Sequence, residues 1–204
     1  MFEKLENYLP ALVEEFMMKG IKSLTMDDIA KKLGVSKKTI YTLVDDKGDL
    51  VKKTLLYFLS FEQERVNEII QKEENAIDQL IQINRFVIES IKSIHPSIIF
   101  DLQKYYPESY KVLEEHKHDF IYNVMVDNMI LGKKQKLYRE GINEAILAKV
   151  YVVRVDSLLT ETILNNQFDF NEVYTEISKY HLYGIASFEG VKYMNNKYNK
   201  DPFK

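Results

Sequence analysis

Cysteine is absent from the 204 residues, which excludes disulfide frameworks, thiolate zinc sites, iron–sulfur clusters and a thiol nucleophile. Glycine and proline are scarce, seven and four residues, about 5% of the chain where roughly 12% is usual. Sandwiches and barrels need far more turns than that, so helices are favoured. No uncharged apolar run approaches the ~18 residues needed to cross a bilayer. The opening residues, Met1 to Glu6, lack the basic-then-apolar order of a signal peptide. A cytoplasmic protein with no membrane partner is expected.

Forty-six per cent of the residues are hydrophobic and 25 are Phe or Tyr, ample for a packed core. Apolar positions recur at helical spacing. Ile77, Leu80, Ile81, Asn84, Val87, Ile88 and Ile91 form one stripe; Phe170, Val173, Ile177, Tyr180, His181, Gly184, Ile185 and Phe188 form another. Breaks fall at Gly20, Gly34, Asp45 to Gly48, Glu73 to Asn75, His95-Pro96, Tyr106-Pro107, Gly132 to Gly141 and Asn165 to Gln167. The expectation is an all-α protein of about nine helices.

The informative stretch is Thr25 to Lys47. Thr25 with Asp28 fits a capping box for a helix ending near Leu33. Gly34 supplies a left-handed C′ residue, and Ser36 caps a second helix beginning at Lys37. With two or three residues between them, the helices must cross sharply. Ala30 permits close approach, while Ile29, Leu33, Val35, Ile40 and Leu43 supply the small core of a helix-turn-helix. A helix through Leu5, Leu9, Leu12, Val13 and Phe16 braces the pair, and another opens at Lys47.

Leu24-Thr25, Ile29-Ala30, Gly34-Val35-Ser36, Thr39-Ile40-Tyr41, Lys47 and Leu50 resemble, in order and spacing, the N-terminal domain of the TetR family of bacterial transcription regulators. Val44 stands where that pattern has Phe, and Gly48 where it has an acid. The resemblance implies a three-helix DNA-binding domain over residues 1–50 and a larger helical bundle over 51–204 for ligand binding and dimerisation. It also implies that Thr25, Thr39, Tyr41 and Lys47 grip phosphates. By the docking geometry of helix-turn-helix proteins, Lys37, Lys38 and Thr42 are the base readers.

The whole-chain charge of −3 argues against a nucleic-acid partner until it is divided. Lys19 to Lys53 hold nine lysines against five acids, +4, leaving −7 for the remainder. The basic charge sits where the motif sits. No arginine lies between Thr25 and Lys47, so the strongest bidentate guanine contact is not available there.

In the larger part, a looser resemblance rests on Asp101 to Pro107 and Leu137 to Asn143. It implies a homodimer on a palindromic operator and a small-molecule effector of apolar or aromatic character. The dimer candidates are Val150, Val153, Ser157, Ile177, Tyr180 and Gly184. The effector candidates are Phe100, Tyr122, Met125, Met129 and Arg154. No cofactor or metal is expected. His116 and His118 point about 200° apart on a helix, His118 with Glu114 makes at most two ligands, and His181 reads as a hydrogen-bonded core histidine. Neither a phosphate-binding glycine loop nor a nucleophile elbow appears. Two alternatives stand beside the regulator: an enzyme, and a helical interaction module whose helix-turn-helix is only scaffold.

Overall fold

A computed structural model describes residues 5–92, 94–95, 97–160, 170–199 and 202–203. In chain order the helices are α1 (Leu9–Lys19), α2 (Met26–Leu33), α3 (Lys37–Tyr41), α4 (Lys47–Lys72), α5 (Ala76–Lys92), α6 (Ile98–Tyr105) and α7 (Pro107–His116). A π-helical turn, Lys117–Ile121, leads into α8 (Tyr122–Lys134), followed by α9 (Glu144–Thr160), α10 (Phe170–Ile185) and α11 (Phe188–Tyr198). The fold is all-α; among the described residues the sole β feature is an isolated bridge between Tyr138 and Ala186.

Most expected breaks fall between helices, while the one at Asn165 to Gln167 lies outside the described residues. One helix was not foreseen. Ser187 takes extended backbone and accepts the Gly190 N–H at 3.0 Å, starting α11 directly after α10.

The chain forms two compact units. The first comprises Met1–Gln63 and Ser93–His116, the second Glu64–Lys92 and Lys117–Lys204. This division does not coincide with one at residue 50, because Ile98 and Leu102 of α6 complete the core that Leu12 and Phe16 of α1, Ile29 of α2, Ile40 of α3 and Leu50 and Val51 of α4 begin.

In the second unit, Ile77, Leu80 and Ile81 of α5 are sealed with Met125 and Met129 of α8, Tyr151 of α9 and Leu182 and Ile185 of α10. Tyr138 is buried there, its hydroxyl donating to Ala76 O at 3.1 Å and Asn128 Oδ1 at 3.0 Å. Its ring lies so close to Gly132 that a Cβ would sit 2.1 Å from it. The buried Asp78 carboxylate accepts from Tyr193, Lys197 and Tyr198, each at 2.6 Å, so α5 is tied to α11.

The two apolar stripes fare differently. Along α5, Ile77, Leu80, Ile81 and Asn84 are buried as expected. Along α10 the buried face is Tyr174, Ser178, Leu182 and Ile185, and Tyr180 and Gly184 of the expected stripe face solvent.

Candidate nucleic-acid interface

The helix-turn-helix forms from local signals. Asp28 N–H donates to Thr25 Oγ1 at 3.2 Å and Thr25 N–H returns a bond to Asp28 Oδ2 at 2.9 Å, the reciprocal capping box. Gly34 closes α2 in the left-handed region, φ 67° and ψ 27°, where glycine carries no steric penalty. Val35 N–H then reaches back to Ala30 O at 3.0 Å. Ser36 Oγ accepts the Thr39 N–H at 3.0 Å and starts α3. Ile29, Ala30 and Ile40 are buried, with Leu33, Val35 and Leu43 packed around them.

This packing turns the other face of α3 outward. Lys37, Lys38, Tyr41 and Thr42 are exposed and Thr39 is half-buried. Lys37 Nζ donates to Asp27 Oδ2 at 3.0 Å, an exposed ion pair that raises the ammonium pKa. Among the described residues Lys38 has no such partner. Thr42 follows the last turn of α3, its hydroxyl donating to Thr39 O at 2.6 Å. The Thr25 hydroxyl donates to Asp28 Oδ2 at 2.6 Å.

Lys47 is more enclosed than its neighbours. Its ammonium donates to Ile21 O at 2.7 Å and to Leu24 O, both in the loop between α1 and α2. Burial pulls its pKa down, against the opposing charges of Asp101 and Asp28. An ammonium has three donors, so one N–H remains. The same loop is held from its other polarity: Asp101 Oδ2 on α6 accepts Ile21 N–H at 3.1 Å and Lys22 N–H at 2.9 Å. Asp101 was missed as a determinant of this site, since nothing in a periodic pattern links positions 80 residues apart. The Asp27–Lys37 pair was missed too; its one sequence trace is an acid in the first turn of a helix facing the lysines of the next.

Residues 9–54 match the model of the bacterial regulatory proteins of the tetR family. The matched span includes α1, α2 and α3 entire, with Thr25, Gly34, Tyr41 and Lys47 in place. This N-terminal domain belongs to the tetR family. Over the longer chain, a relative from Bacillus subtilis (strain 168), the uncharacterized HTH-type transcriptional regulator YvaF, is 25% identical over 170 residues, 82% of this chain and 88% of its own. Two solved structures share the fold. A protein from Saccharomonospora viridis described as a transcriptional regulator, in complex with choline, has TM-score 0.75 at 16% identity and covers 92% of this chain and 100% of its own. The regulator FadR from Bacillus subtilis, in complex with stearoyl-CoA, has TM-score 0.66 at 18% identity and covers 91% and 100%.

The remaining candidates lie as follows. Val150 and Val153 on α9 are 57% and 55% exposed, and Tyr180 on α10 is 82% exposed. Ser157 and Ile177 are half-buried and Gly184 is exposed. These positions repeat at three- and four-residue steps along α9 and α10, a largely apolar face that the described residues cover only in part.

The effector candidates are divided between the two units. Phe100, 53% exposed, belongs to the first unit, and the other four to the second. Met125 and Met129 are buried in the core of the second unit. Tyr122 is half-buried with Lys149 Nζ 5.9 Å from its ring centroid. Arg154 stacks on Tyr151, its guanidinium carbon 4.6 Å from the ring centroid. His181 departs from expectation: its Nε2 is buried and has no hydrogen-bond partner among the described residues.

Proposed function

We infer that the chain is a homodimeric DNA-binding transcriptional regulator, acting as a repressor on a palindromic operator and modulated by a small molecule. What carries the reading is the turn at Gly34, which seats α3 with Lys38, Tyr41 and Thr42 outward beside a family match over residues 9–54. In this reading α3 enters the major groove. Lys37, Lys38 and Thr42 face base edges, with lysine donating to guanine O6 and N7 and threonine touching either edge. Thr25, Thr39 and Tyr41 offer hydroxyls to phosphates, and Lys47 its third N–H.

The uncovered apolar face of α9 and α10 suits a twofold contact, in which each helix pair packs on its copy as a four-helix arrangement. Such a dimer presents two recognition helices to two half-sites. Relatives of the same fold carry choline in one case and stearoyl-CoA in another, which supports an effector site in this chain without choosing its ligand. DNA as partner places its action in the cytoplasm. A reaction is not part of this reading.

A gel-shift screen against fragments of the source genome at several salt concentrations tests it. One or a few fragments should shift discretely, with affinity falling steeply as salt rises. Absence of any shift at low salt would leave the helix-turn-helix as scaffold and overturn the reading.

A further inference from the structure

The second unit holds a cationic cluster in which no carboxylate takes part among the described residues. Tyr151 and Tyr174 are both buried, and their hydroxyl oxygens lie 3.3 Å apart. The guanidinium of Arg154 stacks on the Tyr151 ring and donates from Nη1 to Ile177 O at 3.3 Å, while its Nε is buried and has no hydrogen-bond partner among the described residues. The His181 ring meets the same tyrosine edge-on, centroids 5.3 Å apart, with its Nε2 likewise buried and unpartnered. Among the described residues Arg154 forms no ion pair. The neighbouring acid Asp156 is bonded to Lys117.

Buried polar groups are ordinarily paired, and an arginine cannot escape the cost by losing its proton. Here a fixed positive charge, a free guanidinium N–H, a second unsatisfied ring nitrogen and two hydroxyls converge on one tyrosine ring. Among the described residues no Asp or Glu joins that set, so its donors suit an anion rather than a cation. A carboxylate matches the guanidinium's planar donor edge better than a spherical anion does.

We propose that Arg154, with His181 and the hydroxyls of Tyr151 and Tyr174, binds the carboxylate of a small organic acid. The proposal rests on the effector reading above and specifies the class of ligand. It adds a charged head to the apolar or aromatic body expected from sequence.

Octanoate is the probe, with octan-1-ol as its uncharged counterpart and inorganic phosphate as the free oxyanion. Titration is followed by calorimetry and by the His181 imidazole resonances, with no DNA present. Octanoate should bind and move the His181 signals, octan-1-ol should bind at least about tenfold more weakly, and Arg154→Gln should cost octanoate a similar factor, that of one charge-assisted hydrogen bond. Arg154→Lys, which keeps the charge but loses the fork, should recover only part of it. Equal binding of octanoate and octan-1-ol, or an unaltered octanoate affinity in a folded Arg154→Gln, would overturn the proposal. So would phosphate binding as tightly as octanoate. Loss of dimer in Arg154→Gln on sedimentation, with octanoate affinity unchanged, would instead assign the guanidinium to the subunit contact. A gel shift run alongside on the ligand-free protein separates these outcomes, since failure there concerns the DNA reading alone.

Discussion

Lys47 and Asp101 hold the same loop by opposite polarity. The lysine takes the carbonyls of Ile21 and Leu24, and the aspartate takes the amides of Ile21 and Lys22. The loop ends at Thr25, the N-cap of α2, so the two side chains set where the helix-turn-helix begins. Lys47 therefore has a positioning task in the free protein as well as the phosphate contact proposed for it.

Lys47→Ala separates these tasks. Removing the clamp should cost about 1–3 kcal/mol of stability, read by urea unfolding, because two buried-side carbonyls lose a charged donor. It should also weaken binding to all DNA sequences alike and reduce the salt slope by about one unit. A lower affinity with an unchanged slope would restrict Lys47 to holding the loop.

In the proposed reading, Asp27 competes with DNA for Lys37. The pair is exposed, so solvent screens it and Asp27→Ala should leave the urea-unfolding midpoint close to that of the parent chain. Fluorescence anisotropy at low salt should show operator affinity rising severalfold, the difference shrinking as salt screens it. Equal affinities at low salt would remove Lys37 from the interface. Lys38→Ala, lacking such a partner, should leave stability alone and relax preference at one base pair by about 1–3 kcal/mol.

Val150→Glu places a charge in the middle of the uncovered face of α9. The helix content by circular dichroism should not change, because the side chain is already exposed. Sedimentation at micromolar concentration should turn from dimer to monomer, and operator affinity should fall at least about tenfold as the two half-sites cease to be held together. A Val150→Glu protein that still sediments as a dimer would place the contact elsewhere.

His181 gives the second unit a defined acid sensitivity. Its pKa is pushed down to about 4, by burial first and by the charge of Arg154 second. A histidine whose folded pKa lies below its unfolded value near 6.5 contributes stability that is complete above pH 6.5 and drains away as pH falls toward 4. The loss is on the order of 2–3 kcal/mol. In urea unfolding between pH 7.5 and 4.5, His181→Gln should lose correspondingly less stability than the parent chain. Parallel pH curves would mean that His181 charges freely in the fold.

The residues themselves determined the helix-turn-helix. Thr25 bonds to Asp28, Gly34 to Ala30 and Lys31, and Ser36 to Thr39, each partner within four residues, so caps, turn and crossing are written in the local order of side chains. The stripe along α5 was legible for the same reason, each buried position lying three or four residues from the next. Along α10 the pattern was legible but its meaning was not: Tyr180 and Ile185 lie on one apolar stripe, yet one is 82% exposed and the other 2%. Helical spacing gives a face, while the packed neighbours decide which part of it they cover. Tertiary structure alone decided that Lys47 and Asp101 share a loop, that Ile98 and Leu102 close the core of the DNA-binding unit, and that Arg154 and His181 meet on Tyr151. The hydrogen bonds that hold the loop span 23 to 80 residues, and His181 reaches Tyr151 from the next helix; no periodicity records a contact that exists only once the chain has folded.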